Sequence, residues 1–207
     1  MYQPKHFQET RPEVMHALIR QQPLATLVVA TAEGLEVNHL PFLVDAGAGP
    51  LGVLEGHLAR ANPLWQRAAG EAVAIFTGPD HYVSPSWYAT KQESGKVVPT
   101  WNYVVVHAHG TPRFIEDPTW LRAHLERLVG THEAGRSRPW QVSDAPADYV
   151  DKLLAQIVGI QLPVTRLEGK WKVGQNRNDA DRAGMVAGLL AEGHPDAAAL
   201  AELIRKG

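Results

Sequence analysis

The sequence predicts an α+β protein, mainly β, whose antiparallel strands close into a small barrel with helices at its ends and between strands. Three observations carry that prediction. Six or more strand-like runs follow one another along the chain, bounded by Gly, Pro and Asn-Pro breaks. The helix-like segments do not alternate with them one for one, as they would around a parallel sheet. Several runs, LATLVVAT at 24–31 foremost, are too apolar to have a wet face over their whole length. Closing the sheet on itself removes the edges such strands would otherwise expose.

The elements follow in order. Thr10 and Glu13 have capping-box spacing ahead of Val14, Ala17 and Leu18, which predicts a helix running to about Gln21 and stopped by Pro23. Residues 24–31 form a strand, Glu33-Gly34 a tight turn, and residues 35–44 a second strand that lies at an edge or is bulged at Pro41, which has no amide to donate. A loop at 45–50 leads to a third strand over 51–57. Asn62-Pro63 then reads as a helix start, with Asn62 as N-cap and Pro63 at the first helical position.

Residues 73–76 form a buried strand broken at Gly78-Pro79, and residues 97–109 a long strand rich in valine, with a polar excursion over 89–96 between them. Trp87, Tyr88, Trp101 and Tyr103 crowd the mouths of that excursion, where flat side chains with polar edges could line a pocket for a planar ligand. An amphipathic helix over 117–129 with Asp117 as cap and Leu121, Leu125 and Leu128 as its stripe is ended by Gly130. Another helix covers 146–156 and a late strand 157–167. Two helices in 180–206 are split by Gly193-His194-Pro195. There is no repeat and no low-complexity linker, so the expectation is one domain, 1–207, with a helical C-terminal extension from about 178.

Composition limits the function. Among 207 residues, 44% are apolar, enough for a sizeable core, and 20 Lys and Arg against 22 Asp and Glu give no global signature of a nucleic-acid binder. Contact with DNA would need a local patch; Arg136 and Arg138 are the nearest approach to one. With no cysteine there are no disulfides, thiolate metal sites or thiol catalysis. No apolar run reaches membrane-helix length and the amino end lacks a signal-peptide core, so the expected location is the cytoplasm.

Chemical motifs are sparse. The chain has no dinucleotide fingerprint, no phosphate loop and no nucleophile elbow, and no catalytic residue stands out. His107 and His109 share a strand face but no third ligand is evident, so no metal site is expected. One local feature does suggest a ligand. Arg60 beside the helix start at Asn62 would present a guanidinium and free amides together, which is what a phosphate needs.

The runs NHLPF (38–42), GHLARANP (56–63), GPDHYVSPSWY (78–88), VPTWNYVVVHAHG (98–110) and KWKVGQNR (170–177) together resemble the PaiB-type family of FMN-binding negative transcriptional regulators, over nearly the whole chain. The resemblance implies a split β-barrel similar to pyridoxamine phosphate oxidases, a homodimer, and FMN at the subunit interface. By that likeness His57 to Asn62 is the phosphate loop, with Arg60 as cation and Ala61 and Asn62 completing the cradle. Asn38, His39 and Leu40 lie beside the isoalloxazine. Thr100, Trp101, Asn102 and Tyr103 close the pocket from the partner chain, and Lys170 and Lys172 stand near the flavin. Gly174 replaces the serine usual in that last motif.

Three functions follow from it. The first is a flavin-binding regulator that contacts DNA, the second an FMN-dependent oxidoreductase acting on a small substrate. The third is haem binding or degradation with His39, His57, His107 or His109 as axial ligand.

Overall fold

A computed structural model describes residues 1–206. In chain order the elements are β1 (Gln8–Glu9), α1 (Pro12–Gln21), β2 (Leu24–Thr31), β3 (Gly34–Pro41), β4 (Leu43–Asp45), β5 (Val53–Ala59), α2 (Leu64–Arg67) and β6 (Ala68–Val83). There follow α3 (Thr90–Ser94), β7 (Thr100–Gly110), β8 (Arg113–Ile115), α4 (Pro118–Glu133), α5 (Ala147–Leu154), β9 (Ile157–Pro163), β10 (Arg166–Lys172), α6 (Asp179–Ala191) and α7 (Pro195–Lys206). Helix accounts for 37% and strand for 35% of the structure. The chain forms two compact units, interleaved in sequence. The first comprises residues 1–15, 77–107 and those from 168 on; the second comprises 16–76 and 108–167.

In the second unit β2 and β3 form a hairpin from Leu24↔Pro41 to Thr31↔Gly34, and the other side of β2 pairs with the first half of β6, Thr26 opposite Ile75. A separate four-stranded sheet has the order β4-β5-β9-β8. The sequence predicted one strand over 35–44. Instead the run divides at Phe42, because Pro41 cannot continue the ladder: β3 ends there and β4 begins at Leu43 in the other sheet, paired with β5. Phe42 is buried at the corner and meets Phe76 edge to face at 6.4 Å.

The inner side of β2, Ala25, Leu27 and Val29, is fully buried. A second cluster sits under α4, where Leu121 packs with Val142, Val150 and Leu154. Asp117 caps α4 as expected, its Oδ1 accepting from the Thr119 amide at 3.0 Å. Gly130 does not end this helix, which continues to Glu133. A single Gly costs about 1 kcal/mol in a helix, too little to stop one whose other face is packed.

In the first unit β1 pairs with β10, a strand not expected from the sequence, where the late strand ended at residue 167 and no element was assigned to 168–177. The strand over 77–83 also differs from expectation. Gly78-Pro79 does not turn the chain, and β6 runs through it to Val83, since a proline φ is compatible with extended backbone. A 3₁₀ turn at Pro85–Trp87 precedes the polar excursion, which forms α3 and is closed by Gly95 with φ 67°. At the carboxyl end Asn178 caps α6 by accepting from the Asp181 amide at 2.8 Å. Leu189, Leu200 and Ile204 of α6 and α7 are buried.

Candidate functional site

The predicted site residues fall into two sets, one in each unit. In the second unit, Asn38 and Asn62 are brought together: the Asn62 amide donates to Asn38 Oδ1 at 2.6 Å. Asn62 Oδ1 accepts from the Leu64 amide at 3.0 Å, a local turn rather than the start of a long helix. Indeed α2 is a single turn of four residues that passes straight into β6. The helix dipole invoked for a phosphate at this loop is therefore not available, since it needs several aligned turns.

Arg60 is already engaged. Its Nε donates to the Ala155 carbonyl at 2.9 Å, one terminal nitrogen to the Ile157 carbonyl at 3.2 Å, and the other pairs with Glu116 at 2.5 Å. Its own carbonyl accepts from the Trp65 indole at 3.0 Å. Two of the five guanidinium N–H groups remain beyond these three bonds, yet Glu116 balances the charge, so a phosphate here meets a weaker field than a bare arginine would give. Ala61 is exposed. On β3, Leu40 is buried, Asn38 is half-buried and His39 is exposed. Consecutive strand residues point to opposite faces, so a ring on one side of β3 would meet the side chain of His39 or those of Asn38 and Leu40, not all three.

His57 is half-buried with its Nδ1 3.2 Å from Nε2 of His124, a residue sequence reading overlooked. His124 is fully buried, stacked on Trp120 with ring centroids 5.2 Å apart. Its Nδ1 has no partner. An unpaired acceptor is easier to bury than an unpaired N–H, so His124 donates from Nε2 and leaves Nδ1 unprotonated. Burial lowers the pKa of both imidazoles, that of His124 to about 4 with His57 and Arg127 contributing. The signal was present at spacing 121–124–125 on the α4 stripe, but a histidine among leucines reads as surface.

The first unit holds the remaining set. Lys172 donates from Nζ to Thr100 Oγ1 at 2.6 Å and to the Trp101 carbonyl at 2.7 Å. The Trp101 indole donates to Asp80 at 2.7 Å. Lys170 and Lys172, two apart on β10, both lie over the Tyr103 ring, at 5.3 and 5.9 Å from its centroid. Burial lowers the Lys172 pKa; the Tyr103 oxygen opposes this and Lys170 adds to it. Asn102 is 1% exposed, and its Nδ2 has no hydrogen-bond partner.

FMN fits this set. Its phosphate is an acceptor, and the set presents an orphaned amide donor, Asn102 Nδ2, lining one cavity with Lys172.

Comparison with known proteins bears on the cofactor. Residues 1–166 match the family described as "Putative FMN-binding domain". A Bacillus subtilis relative, protease synthase and sporulation protein PAI 2, is 30% identical over 207 residues, covering 99% of this chain and 96% of its own. An uncharacterised protein of Emericella nidulans is 35% identical across 96% of this chain and 94% of its own. Among solved structures, the flavocytochrome Anf3 of Azotobacter vinelandii superposes with a TM-score of 0.59 at 16% identity, covering 86% of this chain and 75% of its own. The FAD and heme binding protein of Mycobacterium smegmatis gives 0.57 at 21% identity, covering 87% and 80%.

The fold is that of the flavin-binding split barrels. Within that class the chain belongs to the PaiB-type FMN-binding family, and its cofactor is FMN. No helix among the described residues is long and apolar enough to cross a membrane.

Proposed function

We propose that this chain is a cytoplasmic negative regulator of transcription of the PaiB type, acting as a homodimer on DNA with FMN bound as its sensing group. The observation that carries the flavin part is the buried Asn102 donor without a partner, set beside Lys172. Bound FMN would supply a ring that takes up or gives back electrons. The protein's own part is to hold it: Asn102 and Lys172 would meet its phosphate, and Lys170, Trp101 and Tyr103 would face its ring from outside that cavity. The regulatory part is supported by PAI 2, a relative matched end to end whose name ties it to sporulation.

The homodimer is supported by an apolar outer sheet face. Leu24, Leu35 and Val37 are 62%, 73% and 56% exposed, and the register sets Val28 opposite Val37 and Ala30 opposite Leu35. Antiparallel sheets that face water carry polar residues on the wet side, whereas among the β2–β3 pairs on this face only Thr26–His39 is polar.

The test is a gel-shift of the protein's own upstream DNA with flavin-loaded and flavin-stripped protein, repeated at raised salt. Specific retardation that depends on FMN is expected. Steady flavin-dependent oxidation of NADH or NADPH with no retardation would replace the regulator with an oxidoreductase.

A further inference from the structure

The first unit contains a small cavity of about 150 Å³ lined by Tyr88, Thr100, Asn102, Lys172, Asn176 and Arg177, with Phe7, Gly174 and Met185 closing it. Two of its residues are almost wholly buried and carry polar atoms that nothing satisfies: Tyr88 Oη, in a residue 2% exposed, and Asn102 Nδ2, in one 1% exposed. Orphaned polar atoms at this burial are rare in native structures and point to a missing ligand. Both can donate. The phenol stays protonated, because burial raises its pKa.

The two cations are also available. Lys172 spends two of its three protons on Thr100 and the Trp101 carbonyl. Arg177 lies against Tyr88, its guanidinium carbon 4.5 Å from the ring centroid, and its charge acts on the hydroxyl, opposing the effect of burial on the phenol. Asp181 acts on the Tyr88 phenol electrostatically, but its carboxylate is taken by the Thr90 amide and hydroxyl, both at 2.9 Å. No carboxylate is among the residues lining the cavity.

We infer that this cavity binds a small oxyanion through the Tyr88 hydroxyl, the Asn102 amide, Lys172 and Arg177. Four donors with a double positive charge match the acceptor-only surface of a phosphate, sulfate or carboxylate. The volume is half the lower bound for drug-sized ligands, so a ring system is excluded and a single tetrahedral or planar group fits. Water alone would satisfy the two orphans but leave both cations uncompensated. The reading rests on the flavin proposal in one respect only: the oxyanion is either the phosphate of FMN or a separate ion.

Calorimetric titration of flavin-stripped and FMN-loaded protein with inorganic phosphate, sulfate and formate, at constant ionic strength, tests it. Saturable binding of at least one of these anions to stripped protein is expected, weakened tenfold or more in Tyr88→Phe and in Arg177→Gln. Tyr88→Phe keeps the ring packing, so its loss of affinity does not reflect misfolding. If FMN competes with the anion and riboflavin does not, the oxyanion is the cofactor's own phosphate. If FMN-loaded protein binds the anion as well as stripped protein does, the ion is separate. Anion binding by a protein that takes up no FMN would keep this inference and remove the flavin proposal. The inference falls if no anion binds to stripped protein, or if both variants bind as the parent does.

Discussion

His124 shows how much one side chain can decide. Buried against Trp120 and bonded only to His57, it is neutral in the fold with a pKa of about 4, against 6.5 when exposed. Because the folded value is the lower one, the unfolded chain binds the extra proton. The stability His124 lends is therefore complete above pH 6.5 and is lost progressively as pH falls towards 4. The thermal midpoint should fall across that window with uptake of up to one proton per unfolding event, and His124→Phe, which keeps the stack, should flatten the profile; an unchanged slope in that variant would remove the assignment.

Arg60 makes a second residue-scale case. It was legible in the sequence as a cation near a turn, but its three acceptors come from Glu116, Ala155 and Ile157, some 56 to 97 positions away, and no local pattern announces them. Arg60→Met should lower stability by about 1–2 kcal/mol in urea, modest because the Glu116 pair is largely solvated. FMN affinity should change less than tenfold. A larger loss in a flavin titration would restore Arg60 as the principal phosphate ligand.

At the scale of elements, the sequence was read well where local chemistry is decisive. Asp117-Pro118 opens α4, Gly193 separates α6 from α7, and the apolar run 24–31 gives β2 its full length. It was misread where tertiary packing overrides a local signal, as at Gly78-Pro79, Gly130 and the short α2. The donor cavity was only half visible for a related reason: Tyr88, Asn102, Lys172 and Arg177 all sit in the quoted motifs, but nothing local in the sequence says that the four converge on one cavity. The docking of α6 depends on small residues, since a Cβ at Gly184 would collide with the Trp87 carbonyl and one at Gly188 with its ring. Gly184→Ala should therefore cost about 1–3 kcal/mol, as overpacking does. In hydrogen exchange the amides of α6 should lose protection first, and uniform loss across both units would show that the helix is not docked there.

For the molecule as a whole, the outer face of β2, β3 and the start of β6 is the feature that most needs a partner. Val73 continues the apolar row begun by Val37 and Val28, Ile75 lies beside Thr26, and β3 is the terminal strand at that end of its sheet, so nothing beyond it extends the cover. A solvent-facing row of this kind would invite indiscriminate association unless a specific surface claims it, and a second copy supplies an identical apolar surface by two-fold symmetry. Leu35→Lys with Val37→Lys places two charges on each copy of that face, where burial would leave them unpaired. The folded protomer should tolerate them, since both side chains are already more than half exposed. Sedimentation should then show a dimer for the parent chain and a monomer of unchanged circular dichroism for the double variant. Under the shared-pocket reading, FMN retention should fall together with the dimer. A double variant that stays dimeric and yellow would place the interface on another face, and a flavin-loaded monomer would show that one protomer holds FMN unaided.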